Sequence, residues 1–174
     1  MNLKLLTLAR SANGVKRYHT VTNVNTPETV GHHTCGVIGI LFAIYDQKPP
    51  LKLIEAALYH DTPEYITGDT PATAKWDFPA ISDALNDAEV EVTGAVGYLI
   101  SLTPEELIAL KFADLMDLVF KCRMEAQLGN REMHAIMLNG IQFTGNLLRE
   151  QMPEFHNAHN LYTAFLQEMQ DESE

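Results

Sequence analysis

Leu51-Lys52-Leu53-Ile54-Glu55-Ala56-Ala57-Leu58-Tyr59-His60-Asp61 is an apolar helical run that ends on a histidine-aspartate doublet. Adjacent side chains on a helix point about 100° apart, so the doublet does not serve a single packing face. It suits two ligands that grip one ion from neighbouring directions. An imidazole nitrogen with a carboxylate oxygen favours a borderline or hard divalent cation over a thiophilic one. A lone His-Asp pair is weak, because it arises by chance in many chains. The order His33, His60-Asp61, Asp114, each part on a different helical segment, makes it informative.

The segments on either side also read as helix. Residues 2–11 are apolar at helical spacing, and 12–28 are polar and turn-rich, with Lys16-Arg17-Tyr18-His19 inside them. Thr29 is placed to cap a helix over 30–46, closed by Lys48-Pro49-Pro50. Pro63 fits the first turn of a short helix capped by Thr62, and 67–71 read as loop. Residues 79–99 form a helix or a broken pair of helices, weakened by Gly94 and Gly97. Thr103-Pro104-Glu105-Glu106 opens a long one running to Gly129. Residues 131–148 and 153–169 make the last two, before an acidic, frayed tail from Asp171. Strand patterns are nearly absent, so the fold class is all-α, a compact helical globule with one domain over 1–174.

Composition narrows the function. The 174 residues are 46% hydrophobic and 20% charged, enough to bury a core. No apolar stretch approaches the ~20 residues that cross a bilayer, and no basic start leads into a signal-like core. Cys35 and Cys122 belong to no CxxC pattern and read as small core residues in a reducing compartment, so a cytoplasmic location is expected. A net charge of −11 repels the phosphate backbone, which excludes a general nucleic-acid surface. An anionic small molecule remains open if an ion and a few cations make the site locally positive.

His33 shares an apolar stripe with Val37, Ile40, Leu41 and Ile44, so it faces inward, whereas His32 lies with Gly36 and Gly39. An inward histidine alone is usually a hydrogen-bonded core residue. Three further inward candidates shift that balance. Asp114, set among Leu110, Phe112, Ala113, Leu115 and Leu118, needs a partner, since an unpaired buried carboxylate is costly. Asp117 can serve as its helper or face substrate.

This pattern resembles the HD-domain phosphohydrolases, over roughly residues 14–126. Arg17-Tyr18, Asn23-Val24, Glu28-x-Val30, Tyr59-His60-Asp61-x-x-Glu64 and Thr67-Gly68-Asp69-x-Pro71-x-x-x-Lys75 are similar to the bacterial 5'-deoxynucleotidases and to compact phage dATP triphosphohydrolases. One departure is His32, where that family commonly has Glu. The resemblance implies that His33, His60, Asp61 and Asp114 hold one divalent ion (Zn, Co or Mn). Residues 62–133 contain no histidine, and two-metal relatives recruit histidines there, so a single ion is expected.

Glu64, one turn past Asp61, is assigned as general base or proton shuttle by resemblance and by position; a helix-start carboxylate is the plainer alternative. Arg17 and Lys75 are the phosphate clamps, with a solvated Lys75 as the alternative. Asp69 is either a turn former or, as the resemblance suggests, a border of the sugar or proton path. Tyr18 can stack on a base, and Trp76 is a rival for that role or a packing residue.

The expected activity is hydrolysis of the 5' ester of a free deoxynucleotide, leaning to a dNTP triphosphohydrolase with Lys16, Arg17 and Lys75 as its cations. A 5'-deoxynucleotidase acting on dNMPs is the alternative. A catalytically silent nucleotide-binding module is the reading from another class, and a signalling-nucleotide phosphodiesterase fits the Arg17-Tyr18 and Thr67-Gly68-Asp69 elements less well. A homo-oligomer is expected.

Overall fold

The computed structural model describes residues 2–171; Met1 and the tail 172–174 lie outside the described residues. In chain order the helices are α1 Leu3–Ala12, α2 Val30–Ile44, α3 Leu51–Tyr59, α4 Glu64–Thr67, α5 Ala72–Asp77, α6 Pro79–Ala95, α7 Pro104–Gln127, α8 Arg131–Gln151 and α9 His156–Asp171. The all-α expectation holds. Among the described residues, extended pairing is limited to an isolated antiparallel bridge between Lys16 and Thr29. No described helix is long and apolar enough to cross a membrane.

The core is built around α7. One side packs along α8 and the other on α2, which in turn carries α3 and α9. α7 starts where its sequence dictates. Thr103 Oγ1 accepts from the Glu106 amide at 3.2 Å, the Glu106 carboxylate accepts from the Thr103 amide at 2.8 Å, and Pro104 takes the first turn. Phe112, Met116 and Val119 of α7 and Val37 and Leu41 of α2 are fully buried. Truncating a ring such as Phe112 in so closed an interior costs about 3–5 kcal/mol. α8 comes close to α7 at Gly140, where a Cβ would crowd the Val119 and Leu118 side chains.

Several local expectations are corrected. Residues 72–77, between the expected loop and the expected helix, form α5. The helix from 79 stops at Ala95, because Gly97 turns back with φ +67. The helix from Val30 ends at Ile44, with Tyr45 already extended. Thr62 does not cap α4; its hydroxyl donates to the Tyr59 carbonyl at 2.8 Å and closes the end of α3 instead. Cys35 is exposed, while Cys122 is buried as expected. No residue of α5 or α6 is buried. This pair rests chiefly on itself and, through Trp76, whose ring lies 4.8 Å from that of Phe143 at a tilt of 34°, on α8. It forms one wall of the site.

Candidate active site

α2 delivers His33 to the end of the core, fully buried, and His60 and Asp61 follow directly on the end of α3 beside it. The two imidazole Nε2 atoms face each other at 3.4 Å. His33 Nε2 lies 3.4 Å from Asp61 Oδ2 and 3.0 Å from Asp114 Oδ1, and His60 Nε2 lies 3.3 Å from Asp61 Oδ1. His33, His60 and Asp61 therefore come together, and Asp114 joins them through His33. Asp114 is not enclosed as its apolar neighbours suggested. Its side chain is 46% exposed, opening onto a cavity. His32 is exposed and turned to Thr29, which settles which of the two histidines joins the cluster.

The donor set fits a divalent cation. Each ring has its far nitrogen engaged by an oxygen: His33 Nδ1 by Asp117 Oδ2 at 2.6 Å, and His60 Nδ1 by the Ala57 carbonyl at 2.8 Å. A proton fixed on each Nδ1 leaves both Nε2 lone pairs aimed at the common centre. His33, His60 and Asp61 can each give one atom to a single ion. Burial disfavours a charged His33, yet hydrogen bonds to Asp114 and Asp117 override it and raise its pKa to about 10. Burial works against Asp61 and Asp114 too, but the neighbouring histidines and Arg17 hold both carboxyls below their ordinary range.

Asp117 does not line the cavity that opens beside the cluster; its carboxylate pairs with His33 and not with Asp114. It comes to His33 across Gly36, where even a Cβ would overlap its carboxylate. Glu28, which the sequence brings in only through the family resemblance and without a role, is a further member. It lies near the His33–Asp117 pair and 3.4 Å from the Arg17 Nε.

Beside the cluster opens a cavity of ≈280 Å³. Arg17, Tyr18, Asp61, Glu64, Asp69, Lys75, Trp76 and Asp114 all line it, so every other predicted site residue is brought to the same space. Val21, Leu115, Leu118 and Ile136 supply an apolar wall. Arg17 is buried with its Nη1 on Asp61 Oδ2 at 3.0 Å. Tyr18 adopts φ +56, a left-handed conformation that a ring-bearing residue keeps only under constraint. Its amide donates to Asp69 Oδ2 at 3.1 Å. Asp69 therefore does more than form a turn.

Glu64, the first residue of α4, is buried, with Oε2 free of any hydrogen-bond partner. Burial first, and then the like charge of Asp61, push its carboxyl up to about 8 against the pull of Arg17 and Lys75. A group poised near neutrality inside a cleft suits proton transfer. Lys16 is corrected: it is exposed, its backbone bridges Thr29, and it does not line the cavity. The additional cation is Lys111 of α7, which does. Its signal was available, since it lies three residues before Asp114 and so shares that face.

A helical core presenting His, His-Asp and Asp around one centre is the arrangement of an HD-domain phosphohydrolase. The chain belongs to the 5'-deoxynucleotidase YfbR-like family, whose model matches residues 4–157. It is 32% identical to a 5'-deoxynucleotidase of Pasteurella multocida, over 70% of this chain and 73% of that protein. It is 26% identical to a 5'-deoxynucleotidase of Photobacterium profundum, over 69% and 73%. Among solved structures it shares its fold with the cyanophage S-2L HD phosphohydrolase DatZ, bound to dA and one catalytic Zn2+ ion. That match has a TM-score of 0.72 and 17% identity, over 93% of this chain and 96% of that one. A protein of Pyrococcus horikoshii OT3 matches with a TM-score of 0.71 at 19% identity, over 93% and 96%.

Proposed function

We propose that this protein hydrolyses the 5' phosphate ester of free 2'-deoxynucleotides, with one divalent ion held by His33, His60, Asp61 and Asp114. The observation that carries this reading is the convergence of those four side chains on the mouth of a cavity lined by both cations and apolar side chains. A divalent ion there would acidify water and draw charge from a phosphoryl oxygen. The chain's own groups do the rest. Arg17 turns its planar guanidinium from Asp61 to the phosphate oxygens, and Lys75 adds a second charge. Glu64 takes the proton of the attacking water and returns it to the departing O5'. A water-oxygen bond to phosphorus forms, the P–O5' bond breaks, and a deoxynucleoside leaves. Asp69 holds the Tyr18 turn that walls the sugar, while Tyr18 and Trp76 offer rings to the base.

Both relatives are named 5'-deoxynucleotidases, which favours the alternative in which dNMPs are the substrates. The triphosphohydrolase reading retains one specific support, the pair Lys75 and Lys111 on the cavity wall, which adds charge beyond what one phosphate requires. A panel of dNMPs, dNTPs and ribonucleotides, assayed with Mn2+, Co2+, Zn2+ and Mg2+ and resolved chromatographically, tests both. Release of pyrophosphate, or no hydrolysis of any deoxynucleotide, would reject the proposed bond. A second copy of the chain remains the proposed partner, supported by the uncovered α6, and light scattering reads it. The cytoplasm remains the proposed location.

A further inference from the structure

Arg17 and Tyr18 ride on the loop between α1 and α2, residues 13–29. The base of this loop is closed on itself: the Arg17 amide donates to the Glu28 carbonyl and the Val30 amide to the Val15 carbonyl, both at 2.9 Å. Its tip is held from outside by three side chains at the end of α7 and the turn into α8. Glu125 accepts from the Val24 amide at 2.7 Å and the Asn25 amide at 3.1 Å. Asn130 Nδ2 donates to the Thr22 carbonyl at 2.6 Å and to Glu125 at 3.1 Å. Lys121 Nζ donates to Glu125 at 3.0 Å and reaches the Thr26 carbonyl at 3.4 Å. All three side chains are buried, Glu125 completely, and none lines the cavity.

A buried charged cluster is a poor source of stability, because apolar residues of the same volume usually do as well or better. What this cluster supplies is geometry. Its contacts outside itself and its own helices go to main-chain groups of residues 22–26, so it fixes the path of the loop whatever side chains the tip carries. Past Thr26, two residues on, stands Glu28, whose carboxylate lies 3.4 Å from the Arg17 Nε and whose carbonyl takes the Arg17 amide. The tip is therefore coupled to Arg17 through a short piece of main chain that accepts the Arg17 amide and carries the carboxylate paired with its guanidinium.

We propose that Lys121, Glu125 and Asn130 are positioning residues for nucleotide binding, anchoring the loop so that Arg17 and Tyr18 stand ready in the cavity. The proposal rests on the reading of Arg17 as the phosphate grip. The test uses the metal-loaded full chain carrying Glu125→Gln, which replaces one acceptor oxygen by a donor against the Val24 and Asn25 amides. Its kcat/KM for the preferred deoxynucleotide should fall at least tenfold, mainly through KM, with metal per chain unchanged. Arg17→Ala/Glu125→Gln should be no slower than Arg17→Ala alone, because the anchor acts through Arg17. Asn130→Asp keeps the oxygen that caps α8 at the Met133 amide while removing the donor to Thr22 and Glu125. It should show the same KM-weighted loss and guards against misfolding of the first variant. Wild-type KM in both folded variants would overturn the anchor. So would additive losses in the double variant, which would mark a merely structural role. Arg17→Ala with wild-type kinetics would overturn the anchor together with the phosphate-grip reading. Full Arg17 dependence with inert Glu125 and Asn130 variants would sink the anchor alone.

Discussion

The Asp117 carboxylate stands 2.6 Å from Nδ1 of His33, in space that exists only because residue 36 has no side chain. The bond crosses from α7 to α2 and fixes which nitrogen of His33 is left for an ion. Second partners of this kind orient a ligand ring and raise its basicity, and their loss typically weakens metal binding by about 10–100-fold. Asp117→Asn should therefore keep the fold and lose about that much affinity. Gly36→Ala should do the same by displacing the carboxylate without changing its chemistry. A chelator-competition titration reads both, and unaltered metal affinity in the two variants would remove Asp117 from the site.

Glu64→Gln retains the shape of the side chain and removes its capacity to carry a proton. If Glu64 moves the proton between water and O5', turnover should fall about 10²–10⁴-fold with metal content intact. The loss should lie in kcat. A near-normal kcat would reduce Glu64 to the opening residue of α4.

Much of this was legible in the sequence because the signals were local. The capping box at Thr103 and Glu106, the helical stripe through His33 and the apolar run ending on His60-Asp61 each depend on residues a few positions apart. Misses occurred where long-range geometry decides. The space beside Gly36 is visible only once α7 crosses α2. Lys16 and Lys111 exchange places because the bridge at Thr29 turns one outward and the α7 register turns the other inward. Asp114 looked enclosed by its neighbours in sequence, yet it sits on the rim of a cavity that only the packed helices create.

The Glu125 anchor has a signature in acid. Burial would raise its carboxyl, but the Val24 amide, Lys121, Asn130 and the Asn25 amide together hold it down to about 2, against 4.5 unfolded. A depressed folded pKa contributes stability that is fully present above the unfolded value and is lost as pH falls through the folded one. Wild type should therefore lose this contribution between about pH 4.5 and 2. Glu125→Gln, with nothing to protonate, should be less stable than wild type at neutral pH, with a gap that narrows across the same interval. Denaturant melts of both chains at stepped pH check it. A gap independent of pH would mean that the ionised carboxylate is not what holds the loop.

Lys111 separates the two leaving groups. It lines the cavity from α7, three residues ahead of Asp114, while Lys75 comes from α5. If Arg17 and Lys75 grip the phosphate of a monophosphate, few oxygens are left for a further lysine. A triphosphate extends two further phosphates and can engage one. A charge-assisted hydrogen bond is worth about 1.5–3 kcal/mol, so Lys111→Ala should lower kcat/KM for a dNTP about 10–100-fold if the distal phosphates reach it. The same variant should leave dNMP hydrolysis nearly unchanged, since the P–O5' bond is the same in both substrates. Equal losses on dNMP and dNTP would place Lys111 on the first phosphate. No loss on either, in a wild-type background that cleaves dNTPs poorly, would leave a 5'-nucleotidase whose second lysine only balances the carboxylates around it.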